Sequence, residues 1–171
     1  MAIEPQDLPA PEDDFDARLL SDVRQFGWHC IRVADEHHPD HAALNAAMPD
    51  DPVYDAAFAY TVGLSLSLRH PEVVLVGRWA QAHGILAAVV HLIRDGQRFQ
   101  PGDTSDEVLT RYQVRFGAVS ESRRLTLLTY ADWANRRGPF AAIQVILPEG
   151  SGRWPGDPEY DSYPQPLLDR V

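Results

Sequence analysis

The chain has 171 residues, of which 44% are hydrophobic and 23% charged, and this length and composition fit one globular domain without a second independent core. Its formal net charge is −10, a sign that repels phosphate backbones and argues against nucleic-acid binding. No apolar run approaches the ~18 residues of a membrane span, and the first 14 residues are acidic, so we expect a cytoplasmic protein without membrane contact.

The chain begins with a segment over residues 1–13 that has no apolar periodicity, and we predict a flexible acidic N-terminus followed by a single domain over residues 14–171. The first 22 residues hold seven acids and one arginine. Apolar residues then recur at helical spacing: Phe15, Leu19, Leu20, Val23 and Phe26. With Asp13 as a capping candidate and Gly27 where a helix would end, this pattern predicts an amphipathic first helix.

Residues 28–34 predict a strand, and the segment that follows it is strongly acidic. Residues 35–55 hold six acids, three prolines and no base, which predicts a long acidic loop with, at most, one helical turn over residues 42–47. Nearly all the excess charge lies in this loop and in the first 22 residues, so we expect a basic protein partner; acids that only keep the protein soluble are the alternative. The candidate partner-binding residues are Asp35, Glu36, Asp40, Asp50 and Asp51.

The sequence carries no catalytic signature. His37, His38 and His41 have a spacing that could suit a metal ion, but their Pro-broken loop offers nothing to orient the rings, and we assign no metal and no other cofactor. The only cysteine, Cys30, is interpreted as a small buried hydrophobe. Because nucleophile, phosphate-loop and zinc-hydrolase motifs are absent, we assign no catalytic residue and favour a binding protein over an enzyme.

The second half of the chain predicts strands and helices in alternation. Large residues alternate with small ones from Phe58 to Leu64, which predicts a strand with its large side chains on one face. Further strands are predicted over residues 72–76, 112–116 and 140–147, and helices over residues 79–94 and 121–137. This order predicts an α+β fold, a mainly antiparallel sheet with two or three helices packed on it. The Pro- and aromatic-rich tail from Pro148 should lie along the domain.

Several short motifs make the sequence familiar. They are the run from Phe58 to Leu64, the sequence His70-Pro71-Glu72, Gln144 ahead of Pro148, and Gly152-Arg153-Trp154-Pro155. Together they resemble the bacterial domain of unknown function family 4262, over about residues 27–168. The acidic loop looks longer than the family's usual connection, and Leu147, Glu149 and Gly156 stand where the resemblance implies Trp, Asp and Trp.

A second set of residues is similar to the suppressor-of-fused domain. It comprises Tyr60-Thr61, Gly63-Leu64-Ser65, Glu72, the helix through Ile85 and Val90, Gly96, Phe99 and Gly102-Asp103. Such domains are interaction modules, and bacterial versions occur as suspected immunity proteins beside secreted toxins. The resemblance therefore implies a suppressor-of-fused-like fold and a non-enzymatic protein-binding role, immunity-like or regulatory.

The same residues allow a different function. Tyr60, Thr61, His70, Glu72 and Gln144 could line a pocket of a small-molecule-binding or enzymatic domain. They also have a plain structural interpretation, in which Glu72 accepts backbone N–H groups near the start of its strand and Gly63 permits a close backbone approach. No sequence feature specifies an oligomeric state.

Overall fold

The computed structural model describes residues 7–33, 53, 56–162 and 164–169. The described strands are β1 (His29–Val33), β2 (Phe58–Val62), β3 (Glu72–Val76), β4 (Thr104–Ser105), β5 (Val114–Ala118) and β6 (Ala142–Ile146). The described α-helices are α1 (Asp14–Phe26), α2 (Leu64–Ser67), α3 (Ala82–Arg94), α4 (Glu121–Leu127) and α5 (Thr129–Ala134), and a 3-10 turn, Trp79–Gln81, leads into α3.

The strands form one sheet in the order β1-β2-β3-β6-β5-β4. All neighbouring pairs are antiparallel except β3 and β6, which are parallel and lie at the centre, with Val74 opposite Gln144. The fold is therefore α+β with a mainly antiparallel sheet, as the sequence predicts. It carries more helices than the two or three expected.

Helices cover both faces of the sheet. Phe58, Tyr60 and Val62 of β2 pack on the face that carries α1, α4 and α5, whereas Ala59 packs on the face that carries α3. This alternation follows from the two-residue repeat of a strand. Each face of the sheet therefore packs against its own apolar layer. Strands β2 and β3 are covered on both faces, so they are buried along their whole length.

Helix α1 forms as its sequence predicts. The Asp13 side chain accepts a hydrogen bond from the N–H of Asp16 at 2.8 Å, which satisfies one of the free donors at the helix start. Gly27 follows with φ of 75°, and its N–H bonds to the carbonyl of Val23. Both predicted ends of the helix are confirmed.

Several predicted elements are wrong in their bounds, and the strand predicted over residues 112–116 is found at Val114–Ala118. The strand predicted to reach Leu64 ends at Val62, because the chain turns at Gly63 and enters α2. The helix predicted over residues 121–137 is split at Leu128, which has φ of −99° and ψ of 48°, into α4 and α5. It ends at Ala134, and Arg136 and Arg137 follow in left-handed conformations with φ of 54° and 56°.

The tail lies on the domain, as predicted from its composition. Leu168 is fully buried in the core on the α1 face, and Gln165 is 4% exposed. The Gln165 side chain accepts the N–H of Leu147 at 3.0 Å and donates to its carbonyl at 2.9 Å, in the manner of a neighbouring strand. Side-chain bonds thus attach the tail where β6 ends.

The acidic loop is almost wholly outside the described residues. Of residues 35–55 only Val53 is described, and it is buried in the core on the α1 face. The turn predicted over residues 42–47 and the histidines His37, His38 and His41 lie outside the described part of the chain. No helix among the residues described is long and apolar enough to cross a membrane.

Candidate functional site

The most connected polar residue of the candidate pocket is Glu72, the first residue of β3, which is fully buried. Its Oε1 accepts the N–H of Gly63 at 3.0 Å, and the N–H and hydroxyl of Ser65 at 3.1 and 2.9 Å. Its Oε2 accepts the hydroxyl of Thr61 at 2.7 Å. The interpretation that Glu72 accepts backbone N–H groups near its strand start is therefore confirmed.

This carboxyl acts as a capping side chain for α2. Gly63 occupies the N-cap position and has no side chain, so Glu72 supplies the acceptor from another strand. Burial raises the pKa of Glu72, and the hydrogen bonds from Thr61, Ser65 and Gly63 oppose that rise. The carboxyl thus joins β2, α2 and β3 in one polar cluster, which we call the Glu72 cluster (Thr61, Gly63, Ser65 and Glu72).

Tyr60 and Gln144 are buried beside this cluster but bond to other elements. The Tyr60 hydroxyl accepts the N–H of Tyr130 at 3.3 Å, and its ring is 1% exposed. Gln144 donates from Nε2 to the carbonyl of Pro166 at 2.8 Å and accepts the N–H of Leu168 at 2.9 Å. Tyr60 thereby ties β2 to α5, and Gln144 ties β6 to the tail.

His70 is held at both ring nitrogens. Nδ1 lies 2.7 Å from the carbonyl of Pro71, to which only a protonated nitrogen can donate, and Nε2 accepts the N–H of Phe99 at 3.1 Å. Both contacts therefore fit the neutral tautomer with its proton on Nδ1. Burial lowers the pKa of His70, which favours the same neutral form.

Of the five candidate pocket residues, the structure brings Thr61 and Glu72 into direct contact. Tyr60, His70 and Gln144 each bond to a different neighbour, and all five side chains are at most 2% exposed. Their polar groups are occupied by hydrogen bonds within the chain. Ligand binding at these residues stays a prediction.

The five candidate partner-binding acids of the loop lie outside the described residues, but the elements that flank the loop are described. His29, at the start of β1, lies 2.8 Å from Asp22 and has its ring centroid 6.1 Å from that of Phe15. His29 therefore lies beside the side of α1 that carries Asp22 and Phe15. Exposed acids occupy the start of that helix: Glu12, Asp13 and Asp14.

Comparison with known protein families identifies the family of this chain. A family model described as "Domain of unknown function (DUF4262)" matches residues 22–161, most of the chain. The chain belongs to the DUF4262 family. No curated protein and no solved structure matches it. The predicted family resemblance is confirmed, and the likeness to the suppressor-of-fused domain stays a prediction.

The DUF4262 match includes Glu149, where the sequence resemblance implied Asp. This residue is 7% exposed, and its carboxylate accepts the hydroxyl of Ser151 as well as the N–H of Asp161 at 3.0 Å. These hydrogen bonds hold the pKa of Glu149 below its ordinary value. The longer acid therefore still organises the turn after β6.

Sequence reasoning missed one arrangement in this DUF4262 domain. Arg78 and Arg111 are far apart in the chain, yet both line a cleft at one edge of the sheet. Neither arginine belongs to a motif, and only the strand order brings them together. Periodicity and spacing carry no signal for such a pair.

Proposed function

We propose that this DUF4262 domain is a bacterial, cytoplasmic protein-binding module, immunity-like or regulatory, whose acidic segments recruit a basic protein. The observation that supports the proposal is that the excess negative charge is concentrated in two short segments of the chain. The first segment leads into α1, and residues 35–55 come soon after β1 ends at Val33.

The charge distribution makes these two segments unlike the rest of the chain. The first 22 residues carry seven acids and one arginine, and residues 35–55 carry six acids and no base, whereas residues 56–171 balance twelve acids with twelve arginines. A local excess of one sign creates a potential that raises the encounter rate with a partner of the opposite sign. A basic surface of a partner protein meets this requirement.

Capture from the native host tests the proposal. We would cross-link the chain at low salt and compare it with a variant that carries Asp35→Asn, Glu36→Gln, Asp40→Asn, Asp50→Asn and Asp51→Asn. A matched control loses five exposed acids elsewhere, through Asp95→Asn, Asp106→Asn, Glu107→Gln, Glu121→Gln and Glu159→Gln. Both variants change the net charge equally, so only the position of the charge differs.

The parent and the control should recover the same basic protein, and the loop variant should recover much less of it. Equal recovery by all three proteins would contradict a role for the acidic loop in recruitment. A partner without a basic surface would contradict the charge argument itself.

The rival function is a small-molecule-binding or enzymatic domain with a pocket near Tyr60, Thr61, His70, Glu72 and Gln144. It has less support, because these side chains are buried and bond to one another or to neighbouring backbone. A ligand would have to displace those bonds, and each buried group left without one costs about 1–3 kcal/mol.

A further inference from the structure

A cleft lies at the edge of the sheet where its two parallel strands end. Strands β3 and β6 are parallel neighbours, so their carboxyl ends meet at one edge, and β5, antiparallel to β6, begins there. Ligands of sheets with parallel strands commonly bind outside such carboxyl ends, because the loops that leave the strands diverge there. The cleft has a volume of about 570 Å³, within the range of small-molecule sites.

Three kinds of segment build the cleft. Arg78 comes two residues after β3, Leu147 and Pro148 come directly after β6, and residues 109–112 lead into β5. Ile85, from the first turn of α3, completes the floor. Because Ile85, Leu147 and Pro148 are buried, the floor is apolar and shaped by the core itself.

The charge of the cleft is opposite to that of the chain. Its lining includes Arg78 and Arg111 and no acid, in a protein whose net charge is −10. Arg111 is exposed and makes no ion pair or hydrogen bond with any other residue in the described part of the chain. Arg78 is half-buried, and its guanidinium group donates to the hydroxyl of Ser162 at 3.4 Å. The backbone of Arg78 is left-handed, with φ of 51°.

The start of α3 adds to this positive potential. Gln81, at the N-cap of this 13-residue helix, lines the cleft, and no side chain caps the helix there. The helix dipole favours a negative charge near such an end. The dipole contributes less than the two guanidinium groups, which carry full charges.

We propose that this cleft binds a small organic oxyanion, a compound that carries a carboxylate or a phosphate on a compact apolar body. The guanidinium fork of arginine matches both oxyanions through paired N–H donors. The apolar body would cover Tyr112, which is 39% exposed, and the half-buried Leu109, and burial of that surface adds affinity that a bare anion lacks. The proposal is independent of the acidic segments, since none of the lining residues belongs to them.

Titration of the ¹⁵N-labelled protein with four probes tests this assignment. Phenylacetate and phenyl phosphate carry an oxyanion on an aromatic body, benzylamine carries a cation on a similar body, and inorganic phosphate lacks the body. We expect the first two to shift the backbone resonances of residues 77–85, 109–112 and 147–150 at millimolar concentrations. Benzylamine and inorganic phosphate should bind at least tenfold more weakly. The stronger of the two oxyanions identifies the preferred head group.

Substitutions identify the residues responsible. Arg111→Glu should weaken binding of the better probe at least tenfold without unfolding the protein, since Arg111 is exposed. Arg24→Gln, at an exposed arginine of α1, is the control and should leave binding unchanged. The proposal is wrong if neither oxyanion shifts these resonances, if benzylamine binds equally well, or if Arg111→Glu binds like the parent.

Discussion

Glu72 shows how a single buried carboxyl can organise a junction of three elements. Four donors converge on it, from Thr61, Gly63 and both the backbone and the side chain of Ser65. Without an acceptor at this point, the N–H groups at the start of α2 would be left unsatisfied in the core. The sequence indicated such an acceptor, since an acid that opens an otherwise apolar strand needs donors nearby.

The raised pKa of Glu72 predicts a pH dependence of stability. Burial raises its native pKa above the ordinary value of 4.5, so the native state binds the proton more tightly than the unfolded state. As the pH falls from 7 through the native pKa, the unfolding free energy of the parent should rise relative to that of Glu72→Gln, and the difference should level off below about 4.5. Urea unfolding of both proteins between pH 4 and 7 measures it.

A pH-independent difference between the two proteins would show that Glu72 titrates alike in both states. A difference that grows toward neutral pH in favour of the parent would show a native pKa below the ordinary value, opposite to the direction that burial predicts.

Substitutions at Tyr60 test whether this residue has a structural role or binds a ligand. Its ring is 1% exposed and stacks at 6.2 Å on Phe58, so Tyr60→Ala should lower the unfolding free energy by ~3 kcal/mol or more. Tyr60→Phe keeps the ring and removes the hydroxyl, which accepts the Tyr130 N–H and also bonds to the Thr129 side chain, and this predicts a loss of about 1 kcal/mol. If Tyr60→Ala instead melts like the parent and loses a ligand, the pocket hypothesis gains support.

Among the elements, those with local signals were predictable from the sequence. Helix α1 has an N-cap acid, a helical apolar repeat and a terminal glycine, and all three act as predicted. Helix α2 has no such local signal, because its cap comes from Glu72 in the next strand. The break at Leu128 has no local signal either. Leu128 is fully buried, and the Tyr60 hydroxyl fixes the following turn through the N–H of Tyr130.

The turn between β2 and α2 depends on Gly63. Its φ is 109°, and a Cβ at this position would lie 2.8 Å from a Val23 methyl and 3.1 Å from the Gly27 carbonyl oxygen. Gly63→Ala should therefore cost ~2 kcal/mol or more, from backbone strain together with the clash. Thermal or urea unfolding measures the change.

Gly84 is the matched control for this substitution. It lies in α3, where a Cβ would meet no atom within 4 Å, so Gly84→Ala should stabilise the protein by about 0.5 kcal/mol. Equal effects of the two substitutions would contradict a special role for Gly63.

For the molecule as a whole, the sequence predicted the fold class, and the structure supplied the strand order. Alternation and helical spacing gave the elements, but no local pattern shows that β6 inserts beside β3 as a parallel strand. That pairing creates the edge at which Arg78 and Arg111 line one cleft. The side-chain bonds of Gln144 and Gln165 to the tail likewise depend on long-range contacts, so composition predicted that the tail packs but not where.

Charge is the molecular property on which the proposed function depends. Residues 35–55 hold six acids and no base, and exposed acids occupy the start of α1. If they steer a partner, their effect should be on the association rate and should weaken as salt shortens the Debye length below ~10 Å.

The association rate at low salt tests the proposed function most directly. We would measure it with the partner recovered from the native host, for the parent and for the variant with Asp35, Glu36, Asp40, Asp50 and Asp51 neutralised. The melting temperature should stay within about two degrees, since surface changes usually cost under ~0.5 kcal/mol. The association rate should fall ~10-fold or more, and the difference should shrink as ionic strength rises. An unchanged association rate at low salt would show that these acids do not steer binding.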